Sequence, residues 1–537
     1  MAINQLPAAN YTVSEAIPLS FVNCQASSSA ADTTNCGTNA IHRNAYTGVA
    51  YDIPVGVHGG AFPYGFELTS APSGMTIGEN YSASDPSDSY GRITWPTPTA
   101  GNHTITVQVT DQAGTVITST WTLVVGTANW VFVDGSAGTG GDGSIGSPYD
   151  SLDDVLTGHA GELCYIRAST LTLTNNFQLN TGTPVALIGY PSETADIAMT
   201  DGWFVISALD DGAFKNLTLR HLNMTGATQD RKCISQLSAQ DRNSFLDLTL
   251  TNFEYGADGN NNGAAFTSTG GINNDQFIHN WDVQASNMST VIQVFKHRNS
   301  LIQKINVSNT VFNSGSGSSN GGAIKLKDGW SDLTIRLCEL WDNNTWTSVN
   351  SCIEVAGQDQ SSLGIDATDI CYNTLYQPST ANQNGCFRMY TQNQAGAITN
   401  MHVYRNSLRA DVGEDAEWSN GLFTGMTHTY EKNVVENGTL RDDGDAAGWY
   451  NLDNVEGTTV VFDANLQLTG SARTTYLGIA GAELDSTSTP NPDPDPSTLT
   501  KAQKLAGYVN SITLTSPDGT QYTLGVSNGG GLTTTAG

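Results

Sequence analysis

Leu217-Thr218-Leu219-Arg220-His221-Leu222-Asn223-Met224 places apolar residues at relative positions 0, 2, 5 and 7. The spacing returns in Leu248, Leu250, Phe253 and Tyr255, and again in Leu333, Ile335, Cys338 and Leu340. The first positions of successive sets fall at 217, 248, 276, 305, 333, 368, 401, 428 and 461, in steps of 27 to 35 residues. A unit this short cannot bury its apolar face alone, so neighbouring units must stack. A second apolar strand follows the starts at Ile234, Phe266, Ile292, Ile324, Ile353, Phe387, Phe423 and Tyr450. Val294, Leu326, Val355, Met389 and Leu452 sit two residues further on, which is the period of a strand. Short strands in coils of about thirty residues, separated by polar loops, predict a parallel β-helix over 127–480. Asn373, Asn406 and Asn433 share one offset, which fits either an asparagine ladder or plain turn preference.

Upstream, residues 1–126 read as a separate β-domain. Ile105, Val107 and Val109 alternate with polar residues, and after Asp111-Gln112-Ala113-Gly114 the alternation resumes from Val116 to Val124 as a hairpin partner. Downstream, the Pro- and Asp-rich stretch 481–498 predicts an extended linker. Residues 499–537 predict a small β-module built on a hairpin between Ile512-Thr513-Leu514 and Tyr522 to Val526. The expected fold class is therefore all-β: N-terminal β-domain, central parallel β-helix and small C-terminal module.

The 537 residues carry 51 Asp and Glu against 22 Lys and Arg, a formal charge of −29. Such a surface repels nucleic acid and anionic membranes. No apolar run approaches the roughly 20 residues of a membrane helix. The segment beginning at Met1 has neither a basic nor an apolar stretch of the secretory kind, so synthesis in a cytosol is expected. The eight Cys follow no zinc pattern, and the nine His show no HxH or HExxH spacing. Cys24 and Cys36 are the candidate disulfide; Cys352 and Cys386 read as small core fillers in a column with Cys233.

Phe66-Glu67-Leu68, Ala71-Pro72-Ser73-Gly74-Met75 and Thr99-Ala100-Gly101-Asn102-His103-Thr104 follow one another in an order that resembles immunoglobulin-like (cadherin-like) domains of bacterial and phage surface proteins. This resemblance, over 60–126, implies that the N-terminal β-domain is a β-sandwich. Trp130-Val131-Phe132-Val133-Asp134-Gly135, the Gly-rich loop to Tyr149 and Ser151-Leu152-Asp153-Asp154-Val155-Leu156 resemble the capped entrance of pectate-lyase-like right-handed β-helices. The complete order resembles a bacteriophage tailspike or tail fibre. That resemblance implies a homotrimer on the virion surface that recognises host surface polysaccharide, and often cleaves it. A structural fibre or capsid decoration protein, and a free polysaccharide lyase or hydrolase, are the alternatives.

Cleavage on such a scaffold needs paired carboxylates, or a base beside a calcium-bound uronate; Ca2+ is the one cofactor considered. At relative position 6 the repeat aligns Glu254, Asp282 and Glu339 as candidate catalytic carboxylates. Glu254 and Asp282 are expected one coil apart, Asp282 and Glu339 two. A second column runs Ser235, Thr267, Gln293, Lys325, Glu354, Arg388 and Thr424. Lys325, Glu354 and Arg388 fit either a ladder of ion pairs or, with Lys327, Asp328 and Tyr390, a groove for an anionic sugar. Trp330, Trp341 and Trp346 are stacking candidates that could equally be buried. Asp210-Asp211 resembles the double Asp of polygalacturonases, but the other motifs of that family are missing, so a turn is the expected role.

Overall fold

In the computed structural model, the described residues are 12–23, 25–26, 33–35, 39–79, 90–200, 202–221, 232–253, 264–269, 271–284, 287–288, 290–308, 311–312, 322–327, 329–341, 351–358, 365–376, 386–392, 398–409, 417–420, 428–436, 449–452, 454–458, 468, 480, 512–515, 521–526 and 532–536. They are almost entirely β. A parallel ladder of 20 strands starts at Trp130–Val133, and a second parallel sheet of nine strands starts at Phe177–Leu179. Together they form the predicted β-helix, right-handed as parallel crossovers are. Its entrance is closed by a short 3-10 helix, Leu152–Val155, whose Leu152 and Val155 are buried and whose N-terminus is capped by Ser151.

The 20-stranded ladder folds into two faces. Asn216, Asp247, Asn280, Lys304, Leu337, Tyr372, Arg405 and Lys432 all have positive φ, between 51° and 57°. They stack in register, one per coil, as a left-handed corner. Only the first three are Asn or Asp, which tolerate this conformation; the others incur a cost of roughly 1 kcal/mol each, offset by stacking. Before the corner runs face one, for example Ser244-Phe245-Leu246; after it runs face two, for example Leu248-Thr249-Leu250. The nine-stranded sheet is face three.

The corner explains one correction. Each coil holds two pairs of inward residues, one on each side of the bend, so the apolar spacing matches itself at two phases. True register joins Leu217, Leu248, Trp281 and Ile305. Leu333 is paired with Ser300 instead, so the starts at 276, 333, 368, 401 and 428 are displaced by five residues from this register, while 461 lies outside the described residues. Position 387 on face three is matched by Glu417 rather than Phe423, and Tyr450 pairs with Thr429 on face one.

Asn373, Asn406 and Asn433 do form a ladder, which Asn454 extends. Each amide nitrogen donates to the next Oδ1, at 3.0, 2.9 and 2.8 Å. Cys338 N and the backbone nitrogens of the three Asn also donate to these oxygens. This satisfies polar groups at a bend from which water is excluded.

The N-terminal unit contains the predicted hairpin, Gly101–Thr110 against Val116–Gly126, in a six-stranded sheet, and a three-stranded antiparallel sheet containing Arg92–Trp95. It lies along face one. Eight outward residues of that face, Ser244, Leu246, Phe277, His279, Leu301, Thr334, Asp369 and His402, are at most 1% exposed. A Cβ on Gly56 would come within 3.2 Å of the Phe277 ring, so glycine sets this close approach. Polar contacts run the length of the seam: Asn39 Nδ2 to Arg242 O (2.7 Å), His58 to Asn299 (2.8 Å), Tyr372 Oη to Phe62 O (3.3 Å) and Thr429 to Glu15 (2.8 Å). The described cysteines, Cys164, Cys233, Cys338, Cys352, Cys371 and Cys386, are buried free thiols. Cys24 and Cys36 lie outside the described residues. The C-terminal hairpin forms, Ile512 opposite Leu524, and gains a third strand, Leu532–Ala536.

The seam buries a titratable group with a predictable signature. Burial lifts the Asp369 carboxyl to about 6, opposed by His402, the Ser14 hydroxyl and Arg336. A raised carboxyl pKa means that the folded state favours the protonated form. Its stabilising contribution is full below about pH 4 and is lost as pH rises through about 6. Asp369→Asn should therefore be more stable than wild type at pH 7 by about 2–3 kcal/mol, with the difference vanishing near pH 4. Urea midpoints from pH 4 to 8 check this; parallel curves would refute it.

Candidate functional site

Face one is covered, and the outward residues Ser235, Thr267, Gln293, Lys325 and Glu354 of face three are buried. The column predicted as Ser235, Thr267, Gln293, Lys325, Glu354 and Arg388 is in register as drawn. Its first five members are at most 7% exposed, however. Lys325 Nζ lies 2.5 Å from Glu354 Oε1, a buried ion pair and not a pair of free charges facing a ligand. This corrects Lys325 and Glu354 as sugar-binding residues: a charge withdrawn from water is kept by its partner. Arg388 stands opposite Glu354 and Tyr390 opposite Ala356 in the backbone ladder, and their side chains lie outside the description. Lys327 Nζ lies 5.5 Å from the centre of the Phe295 ring.

Trp330 is likewise no stacking platform. It is 3% exposed, and its indole N–H donates to Thr368 Oγ1 at 2.7 Å. Asp210 and Asp211 take the turn role. Asp210 accepts from Asp241 N at 2.8 Å, and Asp211, at φ 60°, pairs with Arg242 at 2.6 Å.

Face two is the open one. Its first outward column runs Asp196, Thr218, Thr249, Asp282, Asn306, Glu339, Thr374 and Ser407. The phase slip happens to leave Asp282 and Glu339 together, two coils apart with Asn306 between them. Thr249, and not Glu254, holds the position one coil before Asp282; Glu254 itself lies outside the described residues. Two strand spacings put the two carboxylate-bearing backbones about 9.6 Å apart.

The two acids differ in setting. Asp282 accepts from Gln284 Nε2 through Oδ2, while its buried Oδ1 has no hydrogen-bond partner in the described structure. Glu339 is exposed by surface area, yet the neighbouring strands remove enough water to lift its carboxyl above the ordinary value, with Lys304 pulling the other way. The strip thus carries one carboxyl biased toward its protonated form, Glu339, and a second, Asp282, with one buried oxygen outside any hydrogen bond.

The next column on the same face reads Trp341, Tyr376, Arg409 and Glu436. The Arg409 guanidinium lies 5.8 Å from the centre of the Tyr376 ring and donates to Glu436 at 3.0 Å. Trp341 therefore belongs to the Glu339 strand, while the side chain of Trp341 and all of Trp346 and Asp328 lie outside the description. Tyr376 and Arg409 were not singled out from the sequence. The signal was present: each stands three residues after a ladder Asn, as Trp341 stands three after Cys338. Among the described residues no group of three or more His, Cys, Asp or Glu is placed to hold a metal ion.

No protein-family model and no curated protein matches the chain. Among solved structures it is similar to the catalytic domain of a GH87 α-1,3-glucanase in complex with nigerose, at 12% identity and a TM-score of 0.39, covering 83% of this chain and 87% of that one. It is also similar to a GH136 lacto-N-biosidase from Eubacterium ramulus, at 11% identity and a TM-score of 0.35, covering 62% and 68%. A third is the family 28 exopolygalacturonase of Yersinia enterocolitica, at 11% identity and a TM-score of 0.31, covering 78% and 98%. At these scores the likeness says nothing of chemistry, which has to be argued from face two itself.

Proposed function

We propose that face two binds a surface polysaccharide along the coil axis and cleaves it by inverting hydrolysis, with Glu339 as general acid and Asp282 as general base. The observation that carries this is the pair's place in one exposed column, two coils apart. The backbone separation of about 9.6 Å lies just past the roughly 6.5–9.5 Å between the carboxyl groups of inverting enzymes and far beyond the roughly 5 Å of retaining ones. In the step, Glu339 gives its proton to the departing glycosidic oxygen as the bond to the anomeric carbon breaks. Asp282 takes a proton from the water that attacks the opposite side of that carbon. The Tyr376 ring in the neighbouring column, with the Arg409 guanidinium beside it, supplies a face for sugar stacking.

The setting that fits is a virion spike, in which an acidic, Asn- and Thr-rich β-helix displays this face to the host cell as a homotrimer. The C-terminal module or the N-terminal unit joins it to other virion proteins. Light scattering should give three times the 56.8 kDa chain mass; a monomer refutes the assembly.

The test is a panel of purified bacterial capsular, O-antigen and exopolysaccharides incubated with the protein and assayed for new reducing ends. One of them should be cut, and Glu339→Gln should slow cutting at least about 100-fold while leaving binding intact. Product of retained anomeric configuration would exclude the inverting pair. Binding without any product would reduce face two to a receptor-binding surface.

A further inference from the structure

A second cavity lies away from face two, where the N-terminal unit meets the first coils. It measures about 410 Å3, within the roughly 300–1,000 Å3 of small-ligand pockets. Two independent pieces of chain build it. Asp52 and Arg92 come from paired strands of the N-terminal unit. Lys215, Asp247 and Asn280 come from face one and its corner. Gly189 lines it too, at a place where a Cβ would strike Asn216 O at 1.9 Å, so no larger residue can enter there.

The polar groups form a chain of alternating sign. Arg92 donates to Asp52 at 2.6 Å and to Asp247 at 2.7 and 3.2 Å. Lys215 Nζ is 3.5 Å from Asp247, and Asn280 Nδ2 donates to the same carboxylate at 2.8 Å. Among the described residues of the wall, the two cations Arg92 and Lys215 balance the two anions Asp52 and Asp247. Hydrogen-bonding capacity nevertheless remains on it. Asp52 gives Arg92 one carboxylate oxygen and keeps its side chain 42% exposed. Asn44 and Asn280 spend their amide nitrogens on Ala40 O and Asp247, which leaves both amide oxygens as acceptors. The facing wall is aromatic: Trp130, half-buried, is stacked on Tyr165 with ring centres 4.6 Å apart and planes 12° from parallel.

We propose that this cleft is a binding site for a neutral saccharide unit, separate from the carboxylate strip on face two and independent of whether that strip cleaves anything. Carboxylate and amide oxygens accept from vicinal hydroxyls, Lys215 donates to ring or hydroxyl oxygens, and the apolar face of a pyranose packs on an indole. The neutral wall selects against charged ligands. An anionic sugar would lie against Asp52 and Asp247, whose positive partners are already engaged, and a cation would compete with Arg92 and Lys215. Asp247 stays ionised throughout the physiological range: Lys215 and Arg92 outweigh burial and hold it at about 2. Its acceptor role therefore does not depend on pH there.

The experiment is saturation-transfer NMR and calorimetry on the full chain with neutral oligosaccharides (maltotriose, chitotriose, a galactotriose) and with anionic ones (sialyllactose, trigalacturonate). At least one neutral probe should bind, and Asp52→Ala and Trp130→Phe should each weaken it at least about 5-fold while Glu339→Gln leaves it unchanged. Asp52 is exposed and Arg92 keeps Asp247, so Asp52→Ala should fold; its far-UV spectrum and Tm verify that. No binding by any neutral probe overturns the proposal, as does preference for the anionic probes. Binding abolished by Glu339→Gln but indifferent to Asp52→Ala and Trp130→Phe places the sugar on face two and overturns it as well. Failure of Glu339→Gln to affect polysaccharide cleavage would sink the reading of face two and leave this one standing.

Discussion

Arg336→Ala should destabilise the protein by about 3–5 kcal/mol and loosen the N-terminal unit from the β-helix. Arg336 is 3% exposed, and every contact that keeps its charge tolerable crosses or borders the seam. It donates to Gln303 Oε1 at 2.6 and 2.7 Å, to Val57 O at 2.6 Å and to Tyr64 Oη at 2.8 Å. Its guanidinium also lies 4.8 Å from the Phe62 ring centre and 5.0 Å from that of Tyr64. Alanine leaves a carbonyl and an amide oxygen buried without these donors and opens a void where the fork lay. Arg336→Lys should recover little, because an ammonium cannot reproduce the planar fork. A lower urea midpoint together with faster hydrogen exchange in 51–66 is the expected pair of readouts. A midpoint within about 1 kcal/mol of wild type would show that the seam does not depend on this residue.

Asn406→Leu should cost about 3–4 kcal/mol although the volume is nearly conserved. The side chain accepts from Asn373 N and Nδ2 at 3.0 Å and donates to Asn433 Oδ1 at 2.9 Å and to Ile370 O at 2.9 Å. Leucine removes all of these at a fully buried bend, and each orphaned group costs about 1–3 kcal/mol, partly relieved by relaxation. Asn306→Ala, an exposed asparagine one column away, should change stability by no more than about 0.5 kcal/mol. Equal midpoints for the two variants would mean that the ladder reflects turn preference alone.

The coil was legible because stacking imposes a period that survives substitution. Leu217, Leu248 and Ile305 face inward in true register, and the offset of Asn373, Asn406 and Asn433 is the ladder itself. The phase was not legible throughout. Pairs of inward residues recur on both sides of a one-residue corner, and Leu337, Tyr372 and Arg405 at that corner carry none of the usual marks of left-handed backbone. Face one offered a different signal that periodicity alone passes over. Phe245-Leu246, Phe277-Ile278 and Leu301-Ile302 are apolar at both parities, as strands buried on both sides are.

The candidate site was legible in part. Asp282, Glu339 and Trp341 were named from the repeat, and the backbone places them on one face. Lys325, Glu354 and Trp330 were named by the same logic, and burial gives them other work.

From the sequence alone come the all-β class, the stacked coils, the hairpin of 105–109 with 116–124 and the shared offset of Asn373, Asn406 and Asn433, since each rests on local alternation or on a period of one coil. Which outward face stays open was decided only by tertiary structure. The N-terminal unit covers face one through contacts between residues such as Arg92 and Asp247, 155 positions apart, and no local pattern encodes such a pairing. That covering leaves face two as the exposed strip, and it also creates the neutral cleft at the junction.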